Sequence, residues 1–100
     1  MILTTFPDEK TADTVIDGLL ANQLAACAQK MPIQSTYRWK GEIQHGREIL
    51  VTIKTISSRY PEVESFIRDR HPYELPEIIQ IPITNGLDGY LRWLSAESMG

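Results

Sequence analysis

One short run limits the possible folds more than any other: Ile49–Ile56, ILVTIKTI. As an extended chain it is apolar on both faces, since Ile49, Val51 and Ile53 alternate with Leu50 and, further on, Ile56. A strand of this kind needs cover on two sides. In a chain of 100 residues there are few elements to supply it.

Ile2–Phe6, ILTTF, is a short β-rich run closed by Pro7 and Asp8. Asp8 suits an N-cap, and Glu9 falls in the first turn, where the helix dipole favours an acid. Ala12, Val15, Ile16, Leu19 and Gln23 recur at helical spacing and predict a helix over residues 8–22, weakened slightly by Gly18. Leu24–Gln44 is rich in strand formers and returns as Arg47–Ile56, which predicts a long hairpin. In Ser57–His71, either Ser57 or Ser58 can cap a second helix, Pro61 is tolerable in its first turn, and Val63, Phe66, Ile67 and Arg70 share a face. Pro72 ends that helix at His71. Glu77–Thr84, EIIQIPIT, reads as a strand that Pro82 confines to a sheet edge. A short C-terminal helix carries Leu87, Tyr90, Leu91 and Leu94.

The order is βαββαβ. With right-handed crossovers it predicts one α+β domain over residues 1–100: a ferredoxin-like, four-stranded antiparallel sheet with both main helices on one face. The other face, with Leu3, Leu50 and the aromatic arm, is left open. Self-association is the expected cover.

The hairpin register follows from pairing on paper. A two-residue turn at His45-Gly46 pairs Gln44 with Arg47 and sets Glu42, Lys40 and Arg38 against Ile49, Val51 and Ile53. One extra residue at Lys40-Gly41 moves Trp39 opposite Val51 and Tyr37 opposite Ile53, placing aromatics beside β-branched residues. The expectation is therefore a tip at His45-Gly46, a bulged arm at WKGE, and a first strand broken in two by Pro32.

A net charge of −3 argues against nucleic-acid binding, which usually needs a basic face. No apolar run approaches the length of a membrane span. The opening MILTTFPDEK leaves no room for a basic region plus a hydrophobic signal segment, so the cytoplasm is the expected compartment. Cys27 stands alone and reads as a packed free thiol.

TYRWKGEI, HPYELPEII and YLRWL, together with TTFPDEKTA, LAAC and ILVTIKT, resemble the CutA family, named for divalent-cation tolerance. The likeness runs from Ile2 to about Ser98. It implies a homotrimer of ferredoxin-like subunits whose arms extend the sheets across subunit boundaries, with an architecture similar to the PII signal-transduction proteins. It also implies a part in the response to copper and other divalent metals, and a suggested signalling role.

The residues themselves point to one corner, Arg70–Ile79, RHPYELPEII. Its prolines are accounted for by a helix stop and a strand start; a Tyr, a His and two acids in the same place also suit a site. Lys54 falls on the helix-free face, where an unpaired ammonium is costly, so it would pair with a carboxylate or a small anionic ligand. Tyr37, Trp39, Lys54, His71, Tyr73, Glu74 and Glu77 could thus line an inter-subunit cleft, with Trp93 as a second aromatic at an interface. For metal, tight copper or zinc sites converge several His or Cys ligands. His71 is the candidate ligand, His45 suits a turn, and no cofactor is otherwise implied. No Ser/Cys-His-acid set, Gly-rich phosphate loop or paired metal motif marks an enzyme, although Glu74 and Glu77 could do acid–base work in a small hydrolase. An anchoring trimer that presents three equal surfaces is the remaining class.

Overall fold

The protein's structure, a computed structural model, describes residues 1–99. Its elements are β1 (Ile2–Phe6), α1 (Glu9–Ala21), β2 (Cys27–Trp39), β3 (Glu42–Lys54), a 3-10 turn (Ser57–Arg59), α2 (Tyr60–Arg70), β4 (Ile78–Gln80) and α3 (Asp88–Glu97). The sheet order is β2-β3-β1-β4 and every neighbouring pair is antiparallel. This is the ferredoxin-like arrangement predicted from the element order.

Local chemistry explains where the helices begin and end. Asp8 is extended and its Oδ1 accepts the Thr11 N–H at 2.8 Å, which sets the start of α1. Gln23 lies beyond the helix with φ 55, and Leu24 N–H closes the end on the Leu19 carbonyl. Neither Ser57 nor Ser58 makes a side-chain cap. The 3-10 turn leads straight into α2, and Pro61 occupies its first turn, where no donor is missed. His71 is extended, as the residue before a proline prefers, and α2 stops there.

The core lies on one face of the sheet. Ile2 and Phe6 of β1 and Val51 and Ile53 of β3 meet Ala12, Val15 and Leu19 of α1 and Val63 and Ile67 of α2, all buried. Full burial of each large aliphatic or aromatic side chain contributes about 1.5–3 kcal/mol. Gly18 lets α1 approach α2: a Cβ there would lie 2.6 Å from Phe66 Cζ.

The hairpin differs from the register worked out on paper. It turns at Lys40-Gly41, not His45-Gly46. Lys40 (φ 52) and Gly41 (φ 80) are both left-handed, the conformation of a two-residue turn matched to strand twist. Pairing then runs without interruption from Trp39↔Glu42 to Cys27↔Lys54, so there is no bulge. Tyr37 faces Gln44, Gly46 faces Ser35, and Val51 and Ile53 face Lys30 and Ala28. Pro32 does not break β2. That strand forms an edge of the sheet, where a missing N–H is tolerated.

At the opposite edge, β4 is shorter than the predicted Glu77–Thr84. It pairs with β1 through Ile78–Gln80, and Ile81 N–H reaches the Met1 carbonyl at 2.7 Å. Pro82 follows on this edge, and Ile79, Ile81 and Ile83 stay substantially exposed. On the helix-free face Leu3, Leu50, Thr52 and Lys54 are only half-buried. α3 reaches the Cys27–Lys54 end of that face: Tyr90 Oη lies 3.7 Å from Cys27 Sγ, and Lys54 Nζ lies 5.7 Å from the Tyr90 ring.

Candidate functional site

The corner after α2 is held by His71. Its Nε2 lies 2.6 Å from the Thr5 carbonyl oxygen, and its Nδ1 lies 3.1 Å from the Tyr73 backbone nitrogen. A carbonyl only accepts and a backbone N–H only donates. The ring is therefore the neutral tautomer, protonated at Nε2 and bare at Nδ1. It stacks on Phe6 at 4.6 Å and 16°, and the Tyr73 ring lies 4.8 Å away, tilted by 50°. Burial pushes the His71 pKa down, against an upward pull from the Thr5 bond and the Glu48 charge.

Past this pin, the Pro72–Glu77 loop is braced against β3. Tyr73 Oη donates to Glu48 Oε2 at 2.9 Å. Burial, then the Glu48 hydrogen bond, pushes the phenol pKa well up, so it stays a donor across the physiological range. Nearer the arm tip, Lys40 Nζ lies 4.0 Å from Glu74, an exposed pair that adds little to stability.

Between arm and loop opens a cavity of about 610 Å³. Tyr37, Trp39 and Glu48 line the arm side; Tyr73, Glu74 and Glu77 line the loop side. Strand alternation explains the arm wall. Ser35, Tyr37 and Trp39 share a face with Glu48, which is the helix-free face of the sheet. The lining holds three carboxylates and no basic side chain; Lys40 offsets Glu74, and the two remaining carboxylates leave a field that favours positive charge.

Five of the predicted residues meet here: Tyr37, Trp39, Tyr73, Glu74 and Glu77. His71 stands behind the loop and positions it. Lys54 lies at the far end of β3, six residues beyond Glu48 or roughly 20 Å along the strand. Trp93 is on α3 beside Tyr90, away from the cleft. The small-anion expectation, which rested on Lys54, therefore loses its cation within one chain. Glu48 was not among the predicted residues; its alternation with Leu50 and Lys54 is the signal that would have placed it on this face.

The residues of one chain do not fit a tight copper or zinc site. Both His71 nitrogens are bonded to the backbone, His45 Nδ1 lies 3.2 Å from Thr36 Oγ1, and Cys27 sits at the α3 end. Among the described residues no three His, Cys, Asp or Glu side chains converge to hold an ion.

The description CutA1 divalent ion tolerance protein belongs to the family model that matches residues 1–97. The chain belongs to this family. It is 38% identical over 95 residues to the divalent-cation tolerance protein CutA of Thermus thermophilus, spanning 94% of this chain and 92% of that protein. With mouse Protein CutA the identity is 42% over 91 residues, covering 90% of this chain but 51% of the mouse protein. The fold matches the structure of the periplasmic divalent cation tolerance protein CutA of Archaeoglobus fulgidus with a TM-score of 0.95 and 34% identity, over 97% of this chain and 95% of that one. Against the Thermus thermophilus structure the TM-score is 0.94 at 37% identity, again over 97% and 95%. No helix among the described residues is long and apolar enough to cross a membrane.

Proposed function

We propose that the protein serves in tolerance of divalent cations, acting by binding rather than catalysis, as a homotrimer whose arm–loop clefts respond to positively charged ligands. The role in tolerance is supported by the relatives' names, and the trimer by the family resemblance. The observation that carries the cleft's part is its lining: three carboxylates beside three aromatic rings, in a cavity with no basic wall. Because the described residues of one chain hold no converged ligand set, a directly bound copper or other divalent ion would draw ligands from two subunits.

Assembly is supported by surface chemistry. Met31 is 55% exposed and Ile79 47%, both on or beside the helix-free face, and each sheet edge carries unpaired main-chain groups. The β4 edge of one copy set beside the β2 edge of the next is a head-to-tail contact, the kind that closes rings. A second reading, a PII-like signalling or anchoring trimer without metal of its own, is favoured by the same absence of a one-chain ligand set.

The test is copper-supplemented growth of a host lacking its own member of this family. Rescue by the wild type but not by a Glu48→Gln, Glu74→Gln, Glu77→Gln triple variant is expected. Equal rescue by both would remove the cleft from the function, and no rescue by either would remove the role in tolerance. Calorimetry with Cu²⁺ and Zn²⁺ on the same two proteins separates direct binding from the second reading.

A further inference from the structure

The two bonds made by His71 are both conditional on its charge. Nδ1 accepts from Tyr73 N–H only while it carries a lone pair; once protonated, it presents a second N–H to a donor that cannot turn away. The Nε2–H bond to Thr5 survives protonation, so the ring stays anchored to β1 while its hold on the loop is lost. We propose that His71 is a pH-sensitive latch: its protonation releases the 72–77 loop and opens the arm–loop cleft.

The surroundings suit a switch rather than an inert core histidine. The ring touches both Phe6 of β1 and Tyr73 of the loop, and Nδ1 bonds to the Tyr73 amide, so a change there acts on the first residue after Pro72. The loop has few other holds. Tyr73 Oη bonds to Glu48, the Lys40–Glu74 pair is exposed, and Leu75 is 70% exposed. The charged and titratable groups around the ring are Glu48 on β3, which favours the imidazolium, and the Tyr73 phenol, which itself feels Asp8 at the start of α1. Arg70, next in sequence, points away, with its guanidinium 3.6 Å from the Phe66 ring and its Nη1 bonded to the Phe66 carbonyl. Burial opposes protonation, so the latch is closed at neutral pH and opens only as pH falls below the ordinary imidazole value of 6.5. Because the bonds are within one chain, the latch stands whatever ligand the cleft takes.

Hydrogen exchange tests it on the intact protein, with rates corrected for the intrinsic effect of pH. Protection of the Tyr73 amide, the donor to Nδ1, is expected to fall about tenfold between pH 7.5 and pH 5, the worth of one hydrogen bond. The α1 amides serve as the reference and should keep theirs. His71→Phe keeps the stack on Phe6 but has no acceptor, so its loop should be open at both pH values. His45→Gln should leave the transition in place, because His45 lies on the arm. In the unmodified protein, ¹⁵N spectra of the His71 ring should show a bare Nδ1 at pH 7.5 that becomes protonated over the same range as the loop opens. A loop equally protected at both pH values, an unchanged transition in His71→Phe, or an Nδ1 already protonated at pH 7.5 would overturn the proposal. Should His71→Phe fail to fold, the ring spectra and loop exchange of the unmodified protein decide alone.

Discussion

Two glycines in the hairpin, five residues apart, separate two descriptions of the arm. Gly41 has φ +80 and forms the turn with Lys40, whereas Gly46 has ordinary backbone angles and pairs with Ser35 inside β3. An added Cβ meets no heavy atom within 4 Å at either position, so crowding is equal and only the backbone differs. Placing an L-residue in the left-handed region costs about 1–2 kcal/mol. Replacing glycine by alanine within a strand gains about 0.5–1 kcal/mol, because the unfolded chain loses freedom. That gain is common to both sites, so Gly41→Ala should destabilise by about 1 kcal/mol net while Gly46→Ala is neutral or slightly stabilising, a gap of about 1–2 kcal/mol. Urea unfolding at one fixed protein concentration reads the difference, since an oligomer's midpoint moves with concentration. Equal effects, or a larger loss for Gly46→Ala, would return the tip to His45-Gly46 and refute the turn geometry.

Other expectations follow from single contacts. Tyr73→Phe removes the donor to Glu48 and should cost about 1–2 kcal/mol in chemical unfolding, with lost protection concentrated in the 72–77 loop. Gly18→Ala sets a Cβ against Phe66; overpacking of about 1–3 kcal/mol outweighs a helix gain of about 1, so a small net loss of stability is expected. The His71 pKa is lowered in the fold, so its contribution to stability is complete above pH 6.5 and is lost as pH falls below that value towards the lowered pKa. Replacing His71 with Phe should flatten that part of the stability–pH curve. Trp39→Ala, which strips an aromatic wall from the cleft, should weaken assembly in dilution experiments if that wall packs against a neighbouring copy.

Most of the fold was legible because its signals are local. Asp8 and the spacing Ala12–Val15–Leu19 mark α1, the Arg70-His71-Pro72 sequence marks the end of α2, and Pro82 marks an edge. The arm tip was not legible by the rule applied to it. Matching apolar partners works where a layer covers the strands, but Tyr37 and Trp39 lie far along an arm where they face Gln44 and Glu42. The better signal was the Lys-Gly dipeptide, two residues able to turn left-handed between strands of equal length. The RHPYELPEII loop could be placed from sequence because Pro72 forces it off the helix at His71. Lys54 has the expected helix-free parity but ends a 13-residue strand, well along it from Glu48, a separation within one chain that alternation cannot express. His71 was weighed as a ligand because sequence shows the imidazole but not the backbone carbonyl and N–H that occupy both its nitrogens.

The exposed Met31, Ile79, Ile81 and Ile83 and the two open sheet edges all ask for a second surface made of the same chain. Sedimentation velocity at low micromolar concentration measures whether it exists. A single species of three times the 11.4 kDa chain mass is expected; a stable lone subunit at that concentration would contradict it.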